Sequence, residues 1–217
     1  SSLKLQPGIY GISLIAEEKA LLQNADLQTI VYLKGVDDNY TNVTGVAAKT
    51  YQGKFNTGTA ASPGLIIGSG IQNAAEINVN SAFETTVVTL ILPKKGTVSA
   101  SDPLKSLSEG RVKATGVFAI QQDFDNKYAL TNIDFVKHQM GFANDEYSAA
   151  EIKLKSNVNY EQVQKQLSIL LGSAFTVQTK FEQNTSLYNT MRLEKWIIYA
   201  VLTLILFIAA FNMVSAL

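Results

Sequence analysis

The chain has no cysteine and a single histidine, His138. The first absence excludes disulfides and thiolate metal sites. The second leaves one imidazole, too few for a multi-histidine metal centre, and gives no sign of a histidine-paired nucleophile. Proline is scarce, with 4 in 217 residues, while Thr, Asn, Ser, Gln and Ala abound, which fits folded structure rather than disorder. Neither sign of charge is in excess: 18 Lys and Arg face 18 Asp and Glu, so the total offers nothing to a nucleic acid. The most informative absence lies at the C-terminal end, where Trp196 to Leu217 carries no charged side chain.

At about 1.5 Å rise per residue, that run is long enough to cross a hydrocarbon core of roughly 30 Å. Arg192, Glu194 and Lys195 precede it as a charged collar, and Trp196 and Tyr199 sit where an aromatic belt would lie. A core helix of a soluble domain, the alternative, normally keeps a polar stripe. Here only Thr203, Asn212 and Ser215 interrupt the apolar surface. Asn212, polar at depth, is expected to face protein rather than lipid. A signal peptide would be N-terminal and shorter. The run reads as a membrane helix, and the chain before it as a polar extramembrane domain. Asn39, Asn42 and Asn184 begin glycan-acceptor triplets, which arise by chance in an Asn/Thr-rich chain.

The first part of the chain predicts strands. Tyr10–Ala16 is β-rich, and Ala20–Gln23 and Gln28–Lys34 flank a turn at Asn24–Asp26, predicting a hairpin with Glu17, Glu18 and Lys19 as a solvated strand end. Val36–Tyr40 reads as a loop, and Gly45–Pro63 as a small polar stretch anchored by Tyr51 and Phe55. Leu65–Ile67 reads as a buried strand, followed by a short helix Ile71–Ile77 with Ser69 as its cap. Thr85–Leu92 and Arg111–Gln121 predict a second hairpin with a long tip, placing Val112, Ala114, Gly116, Phe118 and Ile120 on one face; Asp102-Pro103 keeps the tip out of a central strand. Tyr128–Leu130 is a short strand, and Asn132 caps a helix Ile133–Met140 ended by Gly141. Ala149–Leu154, a helix Tyr160–Leu171 between Asn159 and Gly172, and Ala174–Thr179 predict a β-α-β unit with a parallel pair. Val163, Leu167, Leu170 and Leu171 form the apolar face of that helix. Phe181–Lys195 reads as a helix running into the membrane segment, so that domain and bilayer helix share one rod.

No catalytic constellation is evident. His138 reads as a helix-surface or packed residue. Asp123 and Asp125 lie in a stretch lacking the glycine and terminal glutamate of a calcium loop, and read as a polar turn. Gly64–Gly70 lacks the lysine of a phosphate-binding loop and reads as a tight strand-to-helix turn. No metal and no cofactor is implied, and the chain is not expected to be an enzyme.

Several blocks resemble a known family. Asn184-Thr-Ser-Leu-Tyr188, Arg192-Leu-Glu-Lys195 and Ile208-Ala-Ala-Phe-Asn-Met-Val-Ser215 resemble the entry to the second membrane helix of the lipoprotein-releasing ABC permeases. Glu17-Glu-Lys-Ala-Leu-Leu22, Lys34-Gly-Val-Asp37, Gly116-Val-Phe118, Gln121 to Tyr128 and Glu151-Ile-Lys-Leu154 resemble further blocks, in order, over nearly the whole chain. The resemblance implies an α+β, MacB-like (FtsX-like) periplasmic domain: a mixed α/β porter subdomain, residues 1–48 and 123–182, split by a β-rich sabre insertion, residues 49–122. Residues 183–217 would be a stalk helix continuing into the membrane. Ser1–Pro7 resembles the first porter strand and Gly8–Ile12 the strand after the next helix, so the chain is shortened there or a segment between Pro7 and Gly8 is left out; the second reading is preferred.

The same resemblance implies a location in the bacterial inner membrane with this domain in the periplasm, and ATP hydrolysis on a separate cytoplasmic ABC ATPase subunit. It implies a second permease subunit, identical or homologous, a lipoprotein cargo, membrane lipid and a periplasmic lipoprotein chaperone. A protruding hairpin, the hook, captures that chaperone in one subunit type. Its counterpart here is Thr97–Arg111, with Asp102, Pro103, Leu104, Lys105 and Arg111 as candidate contacts. Phe207, Phe211 and Asn212 are candidates to face lipid or the second subunit. An efflux or mechanotransmission subunit of the same architecture, exporting drugs or toxins or controlling a cell-wall hydrolase, is the alternative.

Overall fold

The computed structural model describes residues 8–79, 86–96, 106–183, 196–206 and 208. They divide into two compact units, with the boundary between Lys155 and Ser156.

The first unit is organised by one long hairpin. Strand β1, Ile9–Asn24, runs through the glutamates without a break and turns at Ala25 and Asp26 into β2, Leu27–Val36. Glu17 and Glu18 are therefore mid-strand, not at a strand end, because the Ile15-to-Asn24 half of β1 is paired throughout with β2. The remaining strands are β3 (Thr50–Gly53), β4 (Gly64–Gly68), β5 (Val87–Pro93), β6 (Leu107–Phe118), β7 (Tyr128–Asn132) and β8 (Ala149–Leu154). All eight join one sheet.

That sheet closes on itself. β2 pairs in parallel with β7, β7 antiparallel with β4, and β4 in parallel with β6; β6 pairs antiparallel with β5, β5 with β1, and β1 with β2. Closure is possible because β1 is long enough to be shared: Leu21–Gln23 takes β5 on one edge while Ile15–Asn24 takes β2 on the other. Strand alternation then sends one set of residues into the ring. Ala20, Leu22, Val31, Leu33, Leu65, Ile67, Val88, Leu90, Leu92, Val112, Ala114 and Ala129 form one buried cluster.

Helix α4, Ile133–Met140, packs Ile133, Phe135, Val136 and Met140 into that cluster. Asn132 caps it, accepting from the N–H groups of Asp134 and Phe135 at 3.0 and 3.2 Å, and Gly141 ends it in the left-handed conformation. The close approach needs small residues beneath. A Cβ on Gly35 would lie 2.8 Å from Val136, and one on Gly110 2.6 Å from the Phe135 ring.

A second buried cluster, Ile15, Val36, Tyr40, Val46, Ile66, Phe118 and Leu130, lies outside the ring with Phe55, Phe124 and Tyr128 against it. Helix α1, Tyr40–Val43, follows the expected loop, starting at its last residue, and buries Tyr40. Phe55 stacks on Tyr40 with centroids 6.5 Å apart. Tyr51, the other expected anchor, is 60% exposed and only its hydroxyl is engaged, donating to Gln72. A register shift opposite Leu65/Ile66 skips Thr115 of β6, and such a bulge inverts the alternation beyond it. So Val112 and Ala114 face the ring interior, Phe118 joins the outer cluster, and Ile120 lies past the strand end, 44% exposed, instead of all five sharing a face. Helix α2, Ser69–Ala74, is capped by Gly68 without a side-chain bond, so Ser69 is its first residue and not its cap. Helix α3, Gln122–Asp125, closes the turn before β7.

In the second unit α5, Tyr160–Leu171, is capped by Asn159, which accepts from Glu161 and Gln162. Val163 and Leu167 are buried, while Leu170 is 47% exposed, so the apolar face is narrower than its spacing suggests. Ala174–Thr179 forms no strand, and β8 pairs antiparallel with β1, so the expected β-α-β unit does not form. Thr179 instead starts α6, Lys180–Gln183: its N–H donates to Glu182, and the Glu182 N–H donates back to the Thr179 hydroxyl, a capping box. Residues 196–206 are helical and every one is exposed. Among the described residues no helix is long and apolar enough to cross a membrane.

Candidate functional site

The resemblance blocks that fall in the first unit meet at one corner of it. Glu17 on β1 lies opposite Lys34 on β2, and β8 pairs with the Ile9–Ile15 half of β1 on the edge opposite β2. The Lys34 ammonium sits 2.7 Å from Glu151 and 3.4 Å from Glu17. It also lies 5.3 Å from the centre of the Tyr128 ring, within reach of a cation–π attraction. Tyr128 stacks on Phe124 at 4.3 Å, and Phe124 packs on Phe118 at 5.7 Å. Asp37, closing the second block, accepts from the Ser13 hydroxyl at 2.6 Å and the Leu14 N–H at 2.9 Å.

The electrostatics of this corner follow from burial and pairing. Burial alone would pull the Lys34 pKa down; Glu151, then Tyr40 and Glu17, more than reverse it, and the ammonium is held protonated above the usual lysine range. Burial first, and the charge of Glu151 second, push the Tyr40 phenol up to about 12. Tyr128 is raised for the same first reason, with Glu17 adding to it. A fixed cation between two carboxylates, with its tyrosines kept neutral, is suited to holding strands together.

The hairpin expected to correspond to a hook is β5–β6. Its last ladder pair is Pro93 with Leu107, and Lys94 donates its N–H to the Ser106 carbonyl at 2.7 Å. Its root is tied to the end of α4. Lys95 donates its N–H to the Met140 carbonyl at 2.8 Å, its ammonium pairs with Glu146, and the Ser108 hydroxyl donates to Gln139. An open cleft of about 300 Å³ lies there, lined by Glu17, Lys95, Met140, Phe142 and Glu146 among others. Arg111 is exposed on β6 opposite Thr89, four pairs in from Leu107. Asp102, Pro103, Leu104, Lys105, Phe207, Phe211 and Asn212 lie outside the described residues.

His138 is exposed in the last turn of α4. Asp125 is buried and accepts from the Ile120 N–H at 2.9 and 3.1 Å, serving the turn it was expected to serve. Gly68 lets β4 meet α2 where a Cβ would lie 2.1 Å from the Asp125 carbonyl oxygen. Among the described residues no three His, Asp or Glu side chains are grouped to hold a metal ion.

A ring of mixed strands, sealed by one helix and carrying an extra edge strand, is the fold of the MacB-like periplasmic domains. The periplasmic region of MacB from Actinobacillus actinomycetemcomitans matches with a TM-score of 0.52 over 80% of this chain and 71% of that one, at 16% identity. The extracellular domain of the noncanonic ABC-type transporter YknZ from Gram-positive bacteria matches with a TM-score of 0.53 over 78% of each chain, at 15% identity. At such identities the likeness is one of fold.

Sequence narrows the kinship. The chain is 22% identical over 219 residues to the lipoprotein-releasing system transmembrane protein LolE of Haemophilus influenzae, covering 99% of this chain and 50% of that protein. It is 28% identical over 216 residues to the corresponding LolC of Neisseria meningitidis serogroup B, covering 97% and 49%. LolC of Xylella fastidiosa is 22% identical over 211 residues, 97% of this chain. No family model matches. The chain is similar to the Lol C/E transmembrane proteins over nearly its whole length, and it spans about half the length of the curated relatives it matches.

Proposed function

We propose that this chain is the periplasmic domain and second membrane-helix entry of an ABC permease subunit that extracts lipoproteins from the inner membrane and passes them to a periplasmic chaperone. The observation that carries the reading is similarity to LolE and LolC over nearly the full length of the chain. The domain itself performs no catalysis; ATP is hydrolysed by a separate cytoplasmic subunit, and a second permease subunit, identical or homologous, completes the transporter. The helical residues 196–206 enter the bilayer, within an uncharged run that continues to Leu217. Phe207, Phe211 and Asn212 face lipid or the second subunit. Transfer of an acyl chain needs a shielded path, since each exposed CH₂ costs about 0.8 kcal/mol.

The β5–β6 hairpin is the chaperone-capturing hook. Asp102, Pro103, Leu104 and Lys105 lie between its strands, and Arg111 supplies a cation on β6 for an acidic rim. The test is site-specific photocrosslinking from positions 101 to 107 in cells, with the full-length protein and its ATPase co-purified. Capture of a periplasmic lipoprotein chaperone, weakened by Arg111→Ala, is the expected result. Scattered partners would end the hook assignment. An outer-membrane channel or a cell-wall hydrolase in its place would move the protein to the efflux or mechanotransmission class, a reading favoured by the shared fold of MacB and YknZ.

A further inference from the structure

Each strand of the closed ring contributes buried apolar residues, but residues 143–155 contribute none. This segment runs from the end of α4 through β8 to the boundary of the second unit. Beyond its backbone ladder to β1, its fastenings are polar and mostly made by lysines. Lys137 donates to the Asn144 carbonyl and lies 4.1 Å from the Tyr147 ring centre; Lys95 pairs with Glu146; Lys34 pairs with Glu151. Lys153 reaches outward from β8 to the Asn42 carbonyl at 2.9 Å, and the Ser148 hydroxyl accepts from the Glu17 N–H at 3.0 Å. The fastenings come from α1, α4, β1, β2 and the end of β5, so the segment is held at both ends and in the middle.

We propose that residues 143–155 form an electrostatically fastened strap that peels from the ring while the ring stays folded. Regions with few buried apolar contacts open below the global unfolding free energy. Ring closure does not involve β8, whose only described strand partner is β1, so its release leaves the six-strand circuit intact. Because the strap leads directly into the second unit, its release lengthens the free chain between the two.

The test is native-state hydrogen exchange on the full chain, comparing wild type with Glu151→Gln and Lys34→Met. Amides of Ala149–Leu154 are expected to exchange faster than those of Leu65–Ile67 and Ala129–Leu130 already in the wild type, and roughly five- to thirtyfold faster again in both variants, staying ahead of the ring amides throughout. Should Lys34→Met, which leaves two carboxylates facing each other, fail to fold, the wild type carries the test. Its strap amides should exchange faster than its ring amides at both salt concentrations, and faster in about 1 M than in about 0.1 M salt. Strap and ring amides that open together, or strap amides indifferent to both salt and substitution, would overturn the proposal.

Discussion

Lys34 and Glu151 are separated by 117 residues in sequence and by 2.7 Å in space. The contact joins β2 to β8 across β1, with Glu17 as the third member. Such a cluster destabilises strongly when one partner is removed, because the other charges lose their neutralising neighbour.

Replacing Lys34 with Ala is expected to cost about 2 kcal/mol in urea unfolding. That is below the figure for a fully buried pair because Glu17 and Glu151 keep 29% and 32% of their side-chain exposure. Glu151→Gln should cost less, since Glu17 still faces the ammonium.

Alkaline pH should loosen the same corner. Lys34 and Tyr40 both bind their protons more tightly when folded than when unfolded. Their contribution to stability is therefore complete below pH 10 and is lost as pH rises through 10 to 12 and beyond. Tyr40→Phe should reduce the decline between pH 10 and 12, read as the unfolding midpoint across a pH series.

The cap of α4 gives a local test. Asn132→Ala removes the acceptor for two helix N–H groups and should lower stability by about 1 kcal/mol. Asn132→Ser should restore most of it, measured by thermal unfolding.

Gly35→Ala should be worse than an ordinary surface change. Its new methyl would meet Val136 at 2.8 Å and the Ile133 backbone at 3.0 Å, forcing α4 off the ring at a cost of roughly 2 kcal/mol. An unchanged midpoint in urea would mean that α4 sits further from β2 than these distances state.

At the β1–β2 turn the direction reverses. Ala25 has φ 50°, a left-handed conformation that disfavours a Cβ, so Ala25→Gly should raise stability by about 0.5 kcal/mol. A differential scanning measurement would register it as a small rise in Tm.

The local devices were legible in the sequence. Asn132 and Gly141 bracket α4, Asn159 and Gly172 bracket α5, and both hairpins form where their flanking strands suggest. Half of the charged corner was also within reach, since a turn at Ala25-Asp26 sets Glu17 against Lys34. Glu151 was not, because nothing local says that β8 will lie beside β1. The bulge at Thr115 was invisible for a related reason: it is defined by the register with β4, and it sends Phe118 to the opposite side from Val112. Ala174–Thr179 misled because alternation of apolar residues suggests a strand, whereas Thr179 and Glu182 supply a helix start three residues apart. Phe175 accordingly stands 64% exposed.

The circuit of strands imposes an order on biogenesis. Its first hairpin emerges early, but Tyr32 must wait for Tyr128, and Leu21 for Ile91, before either finds its neighbour. Pairings this distant raise contact order and slow the folding rate. During vectorial synthesis the nascent hairpin presents two bare edges until β5 covers part of one and, later still, β7 covers the other, a window in which a holdase would guard against mispairing.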